Sequence, residues 1–121
     1  MKIVVADDSR AMRMIVVRTL RQAGFGGHEV LEAENGREAL ELVTEHGPEL
    51  ILSDWNMPEM TGIQFLQTLR ARGDATPFCF VTSEGSEEMR AQAAAAGALG
   101  LIAKPFTAEA FEDVLSTVVP S

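Results

Sequence analysis

Residues 2–20 read KIVVADDSRAMRMIVVRTL, and the way this stretch divides decides the fold. Its first five residues are mostly β-branched and too few for a helix, so they read as a buried strand. Asp7-Asp8 break the apolar run, and Ser9 stands where it can cap the segment that follows. In that segment Met12, Ile15, Val16, Thr19 and Leu20 recur at helical spacing and are expected to share one face. A strand, an acidic break and a helix make one β–α unit, which poses the question of whether the chain repeats it.

It does. Short apolar runs stand at 28–33 (HEVLEA), 49–53 (ELILS), 77–81 (PFCFV) and 100–103 (GLIA). A helical stretch follows each. NGREALELVTEHG places Ala39, Leu40, Leu42 and Val43 at helical spacing and stops at Gly47-Pro48. GIQFLQTLRARG repeats Ile63, Leu66 and Leu69 and stops at Gly73. SEEMRAQAAAAG is rich in alanine, with acids in its first turn that suit the helix dipole. TAEAFEDVLSTVV opens at a capping-box-like Thr107 and aligns Phe111, Val114, Leu115 and Val118. Strand–helix alternation implies a parallel sheet covered by helices on both faces. Right-handed crossovers then favour an α/β, doubly wound, five-stranded parallel sheet, with residues 1–121 forming one domain.

Composition narrows the function. At 46% hydrophobic and 23% charged, the 121-residue chain is an ordinary globule with no apolar run near the ~20 residues a membrane span needs. Ile3–Ala6 is too short for a signal-peptide core, so a cytoplasmic protein that binds no membrane is the default. A net charge of −8 argues against non-specific nucleic-acid binding. Cys79, the single cysteine, reads as a small buried hydrophobe, and His28 and His46 lack the spacing of a metal site.

In such sheets, ligands sit at the carboxyl ends of the strands. The first strand ends in Asp7-Asp8, the third in Asp54 followed by WNMPEMTG, the fourth in Thr82-Ser83 and the fifth in Lys104-Pro105. Taken singly, each has a plain structural reading: a turn acid, a loop acid, a satisfied strand terminus, a solvated end charge. Their arrival at one sheet edge carries the functional reading. Clustered carboxylates repel unless a cation offsets them, and oxygen ligands without His or Cys suit Mg²⁺. A carboxylate can act as a nucleophile toward phosphorus and become an aspartyl phosphate. A hydroxyl and an ammonium would then hold phosphoryl oxygens. The glycine-rich loops of nucleotide-binding motifs are missing, and neither histidine falls at a strand's carboxyl end for a Ser–His–Asp site.

With Asp7-Asp8, SDWNMPEMTG around Asp54, VTSE at Thr82 and KPF at Lys104, the chain resembles the receiver domains of two-component response regulators from Lys2 to about Val118. The stand-alone chemotaxis type is most similar. The resemblance implies a flavodoxin-like (βα)₅ receiver with strand order 2-1-3-4-5. It implies that Asp54 is the phosphoacceptor, and that Asp8, Asp54 and the Asn56 carbonyl bind Mg²⁺ directly while Asp7 acts largely through water. Lys104 and Thr82, with Ser83 beside it, would meet the phosphoryl group; the peptide before Pro105 would be cis; and Asn56 and Glu84 would tune hydrolysis. The phosphodonor would be a histidine kinase or His-phosphotransfer domain. The chain would be a monomer without an output domain, promoting only its own phosphorylation and dephosphorylation. Its downstream protein would dock on the surface of the fourth helix, fifth strand and fifth helix. One position departs from the pattern: where this group usually carries an aromatic output switch, the chain has Leu101, without ring area or hydroxyl. Two other readings use the same residues: a phosphate relay or sink with no effector, and an aspartate-nucleophile phosphatase. Asp7-Asp8-Ser9 lacks the Asp-x-Asp spacing usual in the latter.

Overall fold

Five strands alternate with five helices: β1 (Lys2–Ala6), α1 (Arg10–Gln22), β2 (Glu29–Ala33), α2 (Gly36–His46), β3 (Leu50–Ser53), α3 (Gly62–Ala71), β4 (Phe78–Thr82), α4 (Glu87–Ala95), β5 (Gly100–Ala103) and α5 (Ala108–Leu115). This is a computed structural model, and it describes residues 1–118. The strands are parallel in the order β2-β1-β3-β4-β5. The winding reverses between β1 and β3, so the sheet opens its ligand-binding crevice at their carboxyl ends.

The period of two along each strand divides the core into two layers. Ile3, Val5, Leu50, Leu52, Cys79, Val81 and Ile102 face α1 and α5, where they meet Val16, Leu20, Phe111 and Leu115. Val4, Ala6, Ile51, Phe78, Phe80 and Leu101 face the other way, against Ala39 and Val43 of α2, Phe65, Leu66 and Leu69 of α3, and Ala93 of α4. The central strands are buried on both faces, which is why they are continuous apolar runs in the sequence. Cys79 is fully buried as a core residue, and burial pushes its thiol up to about 12.

A hydroxyl or amide side chain caps every helix. Ser9, Asn35, Thr61, Ser86 and Thr107 accept from the amides of Met12, Glu38, Gln64, Met89 and Ala110. The reciprocal capping box is at Thr61, where Gln64 Oε1 accepts in return from the Thr61 amide at 3.0 Å. Thr107 caps alone, because Ala110 has no side chain to reach back. Two expectations change in the helices. In α1, Ile15 is 39% exposed, and Arg13 takes the inward position beside Val16, Thr19 and Leu20. The last helix ends at Leu115; Val118 is half-buried against the core beyond it, and Val119 lies outside the described residues. No helix among the described residues is long and apolar enough to cross a membrane.

Candidate functional site

Ala6 and Ser53 are register partners on β1 and β3, so Asp7 and Asp54 leave adjacent strands at the same level. Their peptides extend the ladder: the Asp54 amide donates to the Ala6 carbonyl at 2.8 Å, and the Asp7 amide to the Ala33 carbonyl at 3.0 Å. Asp7, Asp8 and Asp54 each present a carboxylate oxygen, all within 4.8 Å of one another. Asp7 is buried, Asp54 is half-buried and Asp8 is exposed.

From the other side comes Lys104. Its Nζ lies 3.4 Å from Asp7 Oδ2 and 3.8 Å from Asp54 Oδ2. The chain delivers it there by way of its amide, which donates to the Thr82 carbonyl at 2.8 Å, and a cis peptide to Pro105 follows. One ammonium against three carboxylates leaves the cluster negative. Burial raises the Asp7 pKa above its ordinary value, as does the neighbouring Asp54 charge, while the Ser9 amide and Lys104 pull it back.

Asp54 is held by its own loop. Its Oδ1 accepts from the Trp55 amide at 2.7 Å, and its carbonyl accepts from Ser53 Oγ at 2.8 Å. The loop closes through the Gly62 amide, which donates to the Trp55 carbonyl at 2.7 Å, and turns through Glu59 at a left-handed φ of 69°. A side chain at Gly62 would collide with the Asp54 carbonyl and the Phe80 ring, so glycine is required by close approach. The Trp55 ring tilts against Phe80 with centroids 4.7 Å apart.

The remaining residues singled out in the sequence spread around this cluster. Thr82 is fully buried at the end of β4, and its hydroxyl accepts from the Glu84 amide at 3.4 Å within its own loop. Ser83, Glu84 and Asn56 are exposed on the loops that leave β4 and β3. Leu101 is 6% exposed on β5, an edge strand. Arg90 of α4 lies over it, donating from Nη1 to the Leu101 carbonyl at 2.9 Å and from Nε to the Gly85 carbonyl at 3.4 Å. Sequence reasoning passed over Arg13, Gly62 and Arg90, whose roles rest on contacts that no local pattern encodes.

The donor set fits a hard divalent cation: three carboxylates in mutual reach, all oxygen, with no thiol or imidazole among them. Two openings lie on the β5 side of the sheet, and the first reaches the cluster at Lys104. One, of about 420 Å³, is lined by Met12 and Ile15 of α1 with Lys104, Pro105 and Phe106. The other, of about 360 Å³, runs along α4, β5 and α5 between Arg90, Leu101, Phe106, Ala110 and Val114.

Comparison with known proteins agrees with this geometry. The response regulator receiver domain matches residues 3–116, from β1 to the C-cap of α5. The chemotaxis protein CheY homolog of Campylobacter jejuni is 41% identical over 124 residues, covering 97% of this chain and 94% of that protein. Among solved structures, the chemotaxis protein CheY4 of Vibrio cholerae superposes with a TM-score of 0.84 at 38% identity, covering 98% of both chains. The receiver domain of the Francisella response regulator 1452 gives the same TM-score at 26% identity, covering 97% of this chain and 94% of that one. A match that takes in every strand and helix of the sheet leaves one conclusion: the chain belongs to the response regulator receiver domains, signalling regulators of the two-component type, and is similar to their CheY members.

Proposed function

We propose that Asp54 accepts a phosphoryl group from a phosphohistidine of a kinase or phosphotransfer domain, and that the domain signals through a change in protein binding. The observation that carries this is the position of the Asp54 carboxylate. Oδ1 is fixed by the Trp55 amide, which leaves Oδ2 turned toward Lys104 in a cluster with Asp7 and Asp8. In the transfer, Asp54 Oδ2 forms a bond to phosphorus, the phosphorus–nitrogen bond of the donor breaks, and the leaving imidazole takes up a proton. Lys104 lies within reach of the charge that builds on the phosphoryl oxygens. Asp7, Asp8, Asp54 and the Asn56 carbonyl would hold Mg²⁺, which would neutralise charge on the incoming phosphate.

The apolar opening beside the cluster is the approach for the donor. Ile15, expected in the core, is instead exposed there, beside half-buried Met12 and Phe106 and exposed Pro105. The groove over β5 suits the downstream partner, because Leu101 and Arg90 lie between it and the loop after Thr82. A phosphoryl group that drew the Thr82 hydroxyl away from the Glu84 amide would move that loop. Similarity to chemotaxis regulators over nearly their whole length supports a place in motility signalling.

The test uses Trp55, adjacent to the acceptor and the only tryptophan in the chain. Mg²⁺ is expected to change its emission, and acetyl phosphate to change it further with one phosphoryl group added by intact mass. Asp54→Asn is expected to abolish the second response. A chain that gains no phosphate, or an Asp54→Asn variant that gains it equally, would refute the assignment.

A further inference from the structure

Behind the acidic cluster sits a cation that phosphoryl transfer and the docking surfaces leave unused. Arg13 is 7% exposed on the inner side of α1. Its Nε donates to Glu32 Oε1 on β2 at 2.8 Å, and its Nη1 donates to the Asp7 carbonyl at 2.7 Å. A guanidinium is retained at such depth only when it is paired and its donors are engaged. Here the second partner belongs to the peptide plane that joins Asp7 to Asp8.

That plane governs where both aspartates point. The Asp7 amide is held by the Ala33 carbonyl, and its carboxylate by the Ser9 amide at 2.9 Å and by Lys104. These contacts fix Asp7, and the Ser9 amide closes a turn around Asp8, but none of them holds the Asp7 carbonyl. The bond from Arg13 fixes the carbonyl, and with it the rotation that carries the exposed Asp8 carboxylate toward Asp7 and Asp54. Glu32 meanwhile cancels the guanidinium charge, which would otherwise oppose a cation in the cluster.

We propose that Arg13 is a positioning residue for the cation site, locking the Asp7–Asp8 peptide so that three carboxylates converge, with Glu32 as its neutralising partner. This rests on the Mg²⁺ reading above. The alternative role is electrostatic, and it has the opposite sign: a bare positive charge there would weaken cation binding, and its removal would strengthen it.

The experiment titrates Mg²⁺ into the full chain, read by Trp55 emission and independently by the Mg²⁺-dependent rise in unfolding temperature. Wild type is compared with Arg13→Met/Glu32→Met, which removes the ion pair as a unit and leaves no charge unpaired. The double variant is expected to bind Mg²⁺ about tenfold more weakly, the low end for outer-shell partners of a metal site. Arg13→Lys, which can reach the carbonyl or Glu32 but not both, is expected to lose about threefold. A purely structural role would lower the urea midpoint and leave the Mg²⁺ affinity of the folded protein unchanged. A folded double variant with wild-type or tighter affinity overturns the proposal. If that variant does not fold, wild-type affinity in Arg13→Lys does the same. A wild type that responds to Mg²⁺ by neither readout overturns the cation reading itself, a failure distinct from that of Arg13.

Discussion

Asp7→Asn is expected to stabilise the metal-free protein while weakening its response to Mg²⁺. The carboxylate oxygens of Asp7, Asp8 and Asp54 lie within 4.8 Å of one another. At that separation Coulomb's law gives each like-charged pair about 1 kcal/mol of repulsion in water and about 3.5 kcal/mol at an effective dielectric constant of ~20. Asp7 has two such neighbours. Lys104, 3.4 Å away, returns about 1 to 5 kcal/mol over the same range. Repulsion exceeds attraction at both limits, and burial adds to the excess. Asparagine removes the charge and keeps an oxygen for the Ser9 amide. The net gain is about 1 kcal/mol, which for a chain of this length corresponds to roughly 4 °C in Tm.

The pH dependence fixes the sign. Burial and Asp54 hold the Asp7 pKa above its ordinary value of 3.8. The folded chain therefore takes up this proton at higher pH than the unfolded chain does. The penalty for the ionised carboxylate is fully present well above the folded value. It shrinks as the pH falls through that value and is gone below 3.8. Urea denaturation of both proteins in EDTA, from pH 7.5 to the acid limit of folding, should show Asp7→Asn more stable at neutral pH and the gap closing on acidification. In excess Mg²⁺ the order should reverse, since wild type gains about 2.7 kcal/mol at a hundredfold excess over its Kd. A variant that is less stable than wild type in EDTA, or a gap that widens toward acid, would refute the reasoning.

Three further outcomes follow from other parts of the molecule. Gly62→Ala should cost about 2–4 kcal/mol in urea denaturation, because its methyl would strike the Asp54 carbonyl and the fully buried Phe80; a neutral substitution would mean that the loop is loosely held. Arg70 donates to the carbonyls of Asp74, Thr76 and Gly97 at 2.8, 3.0 and 2.9 Å, tying α3 to the segments before β4 and after α4. Arg70→Ala should therefore lose about 2–3 kcal/mol, and Arg70→Lys should recover only part of it. Cys79, fully buried with its thiol pushed up to about 12, should resist Ellman's reagent at pH 8 until urea unfolds the chain, and rapid labelling in native buffer would contradict its burial.

The layered sheet was legible because alternation of strand and helix is a property of the chain itself. Strand ends were legible for the same reason: Asp7, Asp54 and Lys104 each follow an apolar run, and parallel strands must end at one edge. What escaped was set by contacts across the fold. The reading of α1 placed Ile15 inward, since an apolar residue beside Val16 fits a helical stripe. The inward position belongs to Arg13, a cation that becomes tolerable there only through Glu32 on another strand and the Asp7 carbonyl. Gly62 reads in sequence as the opening residue of a helical stretch, and nothing local announces the Asp54 carbonyl above it. Thr107 resembled a capping box because Thr opens the motif, but the residue that completes a box is the third one on, and there it is Ala110.

Arg90 has a bearing on how a partner can read this protein. β5 is an edge strand, and an edge is a template on which a foreign strand can add itself by main-chain hydrogen bonds. At Leu101 that template is already taken, because the acceptor an incoming amide would seek is engaged by the guanidinium of Arg90. Recognition along this flank therefore proceeds side chain to side chain, or else begins by prising a guanidinium from two carbonyls. The same contact withholds the Leu101 carbonyl from edge-to-edge pairing along β5 with another copy of the chain.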